Sequence, residues 1–166
     1  MTYDGRAVAN FILDFCAEKN RSVTNLALQK IIYFCHVWTL MEFNQPLIKQ
    51  GFEAWPLGPV LQHVYREFKE FDKHPIDKRA TRIDRLTGQA VVAEYDFDDD
   101  VESLLRRVVD FYSQLRAGDL VELSHVVGGP WDQVWNHSAS INPGMIIKDD
   151  LIVSFYSKSA GQFSVQ

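Results

Sequence analysis

Apolar residues at Val8, Phe11, Ile12, Phe15 and Cys16 recur at i, i+3, i+4, i+7 and i+8, the one-sided stripe of an amphipathic helix. The spacing predicts an end near Lys19-Asn20-Arg21. Ser22-Val23-Thr24-Asn25 follows, and short polar side chains of this kind accept hydrogen bonds from the free N–H groups of a new first turn. The helix that begins there carries Leu26, Leu28, Ile31, Ile32, Phe34, Cys35, Val37, Trp38, Leu40 and Met41, so apolar groups cover most of its circumference. A helix without a polar face belongs inside the molecule, and this one is expected at the centre. Asn44-Gln45-Pro46 stops it, because proline disfavours helical geometry in the residue before it and brings no N–H.

Gly51 ahead of Phe52-Glu53-Ala54-Trp55 predicts a short strand or extended arm. Pro56-Leu57-Gly58-Pro59 reads as a turn, with Pro59 opening a third helix whose spacing, Val60, Leu61, Val64, Tyr65 and Phe68, runs to about Phe71. Residues 72–89 are polar and mixed in charge. Alternation from Arg82 to Leu86, a Thr87-Gly88 turn and Ala90-Val91-Val92-Ala93 fit a hairpin. Asp96, Asp98, Asp99, Asp100 and Glu102 precede the helical spacing of Val101, Leu104, Leu105, Val108, Phe111, Tyr112 and Leu115, where carboxylates favour the positive end of the helix dipole. A short helix is expected over 120–127, with Asp119 and Glu122 as a capping box and Gly128-Gly129-Pro130 as its stop. Trp131 to Trp135 adds a turn. Ile147, Leu151, Ile152 and Phe155 predict a last helix before a polar tail, about 158–166, expected to fray. The sum is a mainly α fold with a minor β element (α+β), a compact helical domain around a buried central helix, taken as one domain over 1–166.

Composition supports a self-sufficient core, since 46% of residues are apolar and 13% aromatic in a chain of 166. A net charge of -5 lacks the basic footprint of a protein that grips phosphate backbones, which argues against nucleic acid as the main partner. No apolar run reaches the ~20 residues of a bilayer span, and Met1 to Arg6 leads straight into the first helix pattern without a leader-like segment. The chain therefore reads as cytoplasmic, with Cys16 and Cys35 as reduced, buried thiols.

The candidate chemistry is sparse. His36, His63, His74, His125 and His137 show no metal-ligand spacing, and the two cysteines make no C-x-x-C pair, so neither metal nor cofactor is expected. Cys35 and His36 are adjacent and therefore point about 100° apart on a helix, which reads as a packed thiol beside a helix-surface imidazole. Ser124-His125 cannot form the hydrogen bond of a triad from neighbouring positions, and no G-x-S-x-G elbow is present; His125 reads as a buttress for the turn that follows. A cysteine–histidine hydrolase and a DNA-binding autoregulator remain as alternatives, without a helix-turn-helix pattern to support the second. Trp55, Trp131 and Trp135 fit either a core or an interface.

Three blocks of the sequence resemble the Panacea domain, also described as the SocA-like or phage-associated GepA-like family. Leu26-Ala27-Leu28-Gln29-Lys30-Ile31-Ile32-Tyr33-Phe34 is similar to its L-x-L-Q-K-L-L-Y-F segment. Phe52-Glu53-Ala54-Trp55-Pro56-Leu57-Gly58-Pro59-Val60 is similar to E-A-W-x-x-G-P-V, and Leu123-Ser124-His125 with Pro130-Trp131 to L-S-H followed by P-W. The segment from Arg79 to Glu94 matches nothing in that pattern. The resemblance implies a non-enzymatic antitoxin that binds a cognate protein toxin encoded nearby, and in some members an adaptor to an ATP-dependent protease. Trp55, Gly58, Pro59, His125 and Trp131 are the residues at which it suggests a shared toxin-binding patch.

Overall fold

A computed structural model describes residues 2–136 and 143–158. Helix α1 (Gly5–Glu18) and helix α2 (Asn25–Phe43) open the chain. Asp4 caps the first by accepting from the Arg6 N–H, and Thr24 caps the second by accepting from Ala27 N–H at 3.3 Å. α2 ends on Asn44 in the left-handed region at φ 53, the conformation that asparagine tolerates better than other side chains at a helix C-terminus.

α2 is the centre of the molecule, as its all-round apolarity requires. Leu28, Ile32, Tyr33, Cys35 and Val37 are sealed from solvent. Against it lie α1, α3 (Gln62–Phe68), α4 (Asp99–Tyr112), α5 (Ala117–Ser124) and α7 (Asp149–Lys158). Phe34 stacks on Tyr112 with ring centres 4.4 Å apart, and Trp38 Nε1 donates to the Tyr112 hydroxyl at 2.9 Å, fixing α4 on one side. α4 starts with Asp99, Asp100 and Glu102 in its first turn.

A small antiparallel sheet runs β2–β1–β5, from β1 (Phe52–Trp55), β2 (Gly58–Val60) and β5 (Ile146–Ile147). A second, two-stranded ribbon joins β3 (Thr81–Ile83) to β4 (Ala90–Val92), where the alternation and the Thr87-Gly88 turn had pointed. Helix α6 (Pro130–Trp135) follows the α5–α6 loop with Pro130 in its first turn. The expected frayed tail lies outside the described residues beyond 158.

Four expectations are corrected. Pro59 lies in β2, opposite Ala54, and α3 starts only at Gln62; the fixed φ of proline suits a strand as well as a helix start. α5 begins at Ala117 and closes at Ser124. Its Asp119 sits inside the first turn, accepting from the Arg116 N–H at 3.3 Å, so the Gly128-Gly129-Pro130 run serves the start of α6 rather than the end of α5. Ile147 pairs with Phe52 in β5 instead of joining the last helix. His36 is no surface imidazole: it is 1% exposed, its Nδ1 accepts from Ile48 N–H at 3.3 Å and its Nε2 meets Asp149 Oδ1 at 2.8 Å. The backbone donor at Nδ1 places the imidazole proton on Nε2, so His36 donates to Asp149 and ties α7 onto α2.

A two-stranded ribbon is marginal by itself, and this one is held at its base by one buried side chain. Asn10 of α1, 2% exposed, donates to the carbonyls of Ala80 and Ala93 at 3.0 and 2.8 Å and accepts from Ala80 N–H at 2.7 Å. Asn10→Ala strands the Ala80 N–H and the Ala93 carbonyl, while the Ala80 carbonyl keeps its bond from the Ala93 N–H at 2.9 Å, and a cost of about 2 kcal/mol is expected. Hydrogen exchange should show amides of 80–93 losing protection while those of α2 keep theirs.

Candidate functional site

All three sequence blocks meet on one side of α2. Gln29 and Lys30, adjacent buried polar residues in the first half of that helix, hold the backbone of β2 and its continuation. Lys30 Nζ donates to the Pro59 carbonyl at 3.0 Å, and Gln29 Oε1 accepts from Leu61 N–H at 3.0 Å. Gln29 in turn donates to Asn25 Oδ1 at 3.0 Å, and Asn25 donates to the Tyr65 carbonyl at 3.1 Å. This chain of bonds fastens β2 and α3 to the central helix. Lys30 is fully buried, and removal of its ammonium from water brings its pKa down to about 7.

Gly58 makes the approach possible. Its φ is +117, and a Cβ there would lie 2.6 Å from Lys30 Cε and 2.6 Å from Ser124 Oγ. Only a residue without a side chain lets β2, the lysine stem and the end of α5 share this space. Ser124 Oγ donates back to the Val121 carbonyl of its own helix at 2.8 Å, so the hydroxyl is engaged in the turn of α5.

The third block closes the assembly. His125, at the C-terminus of α5, stacks face to face on Trp131 with ring centres 3.7 Å apart and planes 7° apart, and Trp131 stacks on Trp135 at 5.7 Å. Trp131 Nε1 donates to the Trp55 carbonyl at 2.8 Å, linking α6 to β1. Trp55 packs edge to face on Tyr65 at 4.9 Å. Burial and the nearby Lys30 charge both hold the His125 pKa below the usual histidine value.

Trp55, Gly58, Pro59, His125 and Trp131 are thus brought together, around a lysine that had not been singled out. Gly58, Pro59 and Trp131 are buried, while Trp55 and His125 are half-buried. What reaches solvent beside them is apolar: Leu57 on the β1–β2 turn is 56% exposed, and Val127 on the α5–α6 loop is 90% exposed. The five residues are mainly the frame that presents these tips. Gln29 and Lys30 could have been found in the sequence as an adjacent polar pair set between the apolar Leu28 and Ile31 of a helix expected to be buried.

The chemistry that this arrangement offers is structural. Burial raises the pKa of both Cys16 and Cys35, the second far above the ordinary thiol value, so neither supplies a thiolate at neutral pH. Among the described residues no group of three His, Cys, Asp or Glu side chains is placed to hold a metal ion. No helix among them is long and apolar enough to cross a membrane.

The sequence profile described as "Antitoxin SocA-like, Panacea domain" matches residues 28–132, a span that runs from α2 into α6 and contains Gln29, Lys30, the β1–β2 hairpin, Ser124, His125 and Trp131. The chain is also 38% identical over 150 residues to "Antitoxin SocA" of Caulobacter vibrioides (strain NA1000 / CB15N), covering 90% of this chain and 80% of that protein. It belongs to the SocA-like antitoxin family defined by the Panacea domain. No solved structure matches it.

Proposed function

We propose that this protein is an antitoxin that acts in the cytoplasm by holding a protein toxin encoded beside it, in a stoichiometric complex and without turnover. The observation that carries the reading is the use made of the family's residues. Lys30, Ser124, His125 and the tryptophans lock α2, the β1–β2 hairpin and α5–α6 together, and the surface they present beside the lock is apolar and unreactive. Such a surface fits binding and offers no nucleophile with its base.

The test is growth of cells expressing the neighbouring reading frame with and without this chain, followed by purification of the pair. Restored growth with co-elution in fixed ratio is the expected result; absence of a complex defeats the reading. Delivery of the toxin to an ATP-dependent protease, which the family resemblance extends to some members, would be a further role. It is read in the same strains from the toxin's half-life, since neutralisation by holding leaves the toxin at full level and delivery shortens its life.

A further inference from the structure

A groove of about 380 Å³ opens beside the β1–β2 turn, between α2 and the end of α3. Leu26, Trp55, Val60 and Tyr65 supply its apolar wall. The polar groups that also line it, Asn25 and Gln29, spend their side-chain hydrogen bonds on each other, on Leu61 and on Tyr65, so the floor is built to receive an apolar group. Lys69, Asp72 and Lys73 line it from the exposed side. Of these, neither lysine has an ion-pair partner among the described residues, and they outnumber the single carboxylate on a chain whose net charge is -5.

The groove's apolar lining runs out to solvent: Leu57 and Pro56 both line it, Leu57 is more than half exposed and Pro56 is exposed as well. An occupant must therefore fill the pocket and cover its open rim, as a polypeptide segment does. A side chain of leucine or aromatic size fills the pocket, and carboxylates next to it meet Lys69 and Lys73.

We infer that this groove is a docking site for a segment of the cognate toxin, one in which a large apolar side chain is flanked by acidic residues. The inference rests on the antitoxin reading and adds to it the place and the chemistry of the contact.

The test measures the affinity of the purified toxin for the full chain and three variants, each first checked for an unchanged thermal transition. Leu57→Asp sets a charge on the apolar rim without touching the core. Lys69→Glu with Lys73→Glu reverses the exposed side. Leu86→Asp, at a residue 96% exposed on the turn of the β3–β4 ribbon, is the comparison. Leu57→Asp is expected to weaken binding by about thirtyfold or more, because it sets an unpaired carboxylate under an apolar group that is itself flanked by acids. The double lysine variant is expected to slow association, with a difference that shrinks as salt is raised, and Leu86→Asp to bind as the unaltered chain does.

Tight binding by the unaltered chain, undiminished by Leu57→Asp, removes the groove and leaves the antitoxin reading in place. Loss confined to Leu86→Asp puts the toxin on the ribbon and overturns the inference. A double lysine variant that associates at the normal rate removes the acidic flank and so overturns the stated chemistry. If the unaltered chain binds no toxin, the inference falls with the reading it rests on.

Discussion

Gly58→Ala is expected to destabilise the protein by about 4 kcal/mol, combining roughly 1–3 kcal/mol of backbone strain with roughly 1–3 kcal/mol of overpacking. The strain comes from a φ of +117, which L side chains rarely adopt, and the overpacking from a Cβ 2.6 Å from Lys30 Cε and Ser124 Oγ. Neither neighbour gives way easily. Lys30 is tethered through Pro59 and wholly buried, and Ser124 is fixed in the last turn of α5. For a domain of this size the thermal midpoint should fall by roughly 8–16 °C. Gly118→Ala is the matched control: Gly118 lies in α5, with nothing within 4 Å of its added methyl, and should be neutral or stabilising by up to about 1 kcal/mol.

How far the fold could be read from the sequence follows from what each signal depends on. The helices were legible from apolar spacing in α1, from spacing with a polar cap in α2 and from spacing with first-turn carboxylates in α4, because these signals are local. β5 was not. Its two residues, Ile146–Ile147, stand directly before α7 and share its apolar rhythm, and only pairing with Phe52 and Glu53 makes them a strand. Pro59 was misplaced for the same reason: its φ satisfies either reading, and the choice is made by the register with Ala54 and by Lys30, neither of which is adjacent in sequence. The sequence reads His36 as a surface group because a lone imidazole on a helix is usually one, whereas α7 arrives more than a hundred positions later to bury it against Asp149.

The site divides in the same way. The residues Trp55, Gly58, Pro59, His125 and Trp131 were named from the resemblance alone, and the bonds between Trp131 and Trp55 and between Lys30 and Pro59, with the stack of His125 on Trp131, gather them. That they serve chiefly as a frame could not be read from one dimension, since burial is set by which elements close over each other. Leu57 looked like an ordinary turn residue, and its exposure over a groove emerges only once α3 has returned past the hairpin.

Lys30 makes stability depend on pH in the opposite sense to a salt-bridged carboxylate. Its pKa is about 7 in the fold against 10.5 for the ordinary side chain, so the unfolded chain binds an extra proton between those values. Where the unfolded state holds more protons, stability rises with pH. The burden of the buried lysine is therefore complete below about pH 7 and lifts as the pH climbs toward about 10.5. Integrated over that window, the protein should gain about 2 kcal/mol from this group between about pH 7 and about pH 9. Lys30→Met keeps the length of the stem and cannot titrate. Its denaturation free energy should lack that slope, so the lysine form gains on the methionine form as pH is raised. At neutral pH two effects compete in the variant: relief from deprotonating a buried lysine, and about 1–3 kcal/mol for the orphaned Pro59 carbonyl. The slope separates them, because the carbonyl term is independent of pH. Urea titrations of both proteins at the two pH values would settle it: equal slopes would mean that Lys30 keeps its proton at neutral pH with other groups compensating the charge, and a slope present only in the lysine form would place a neutral amine against Pro59 at the centre of the family's three blocks.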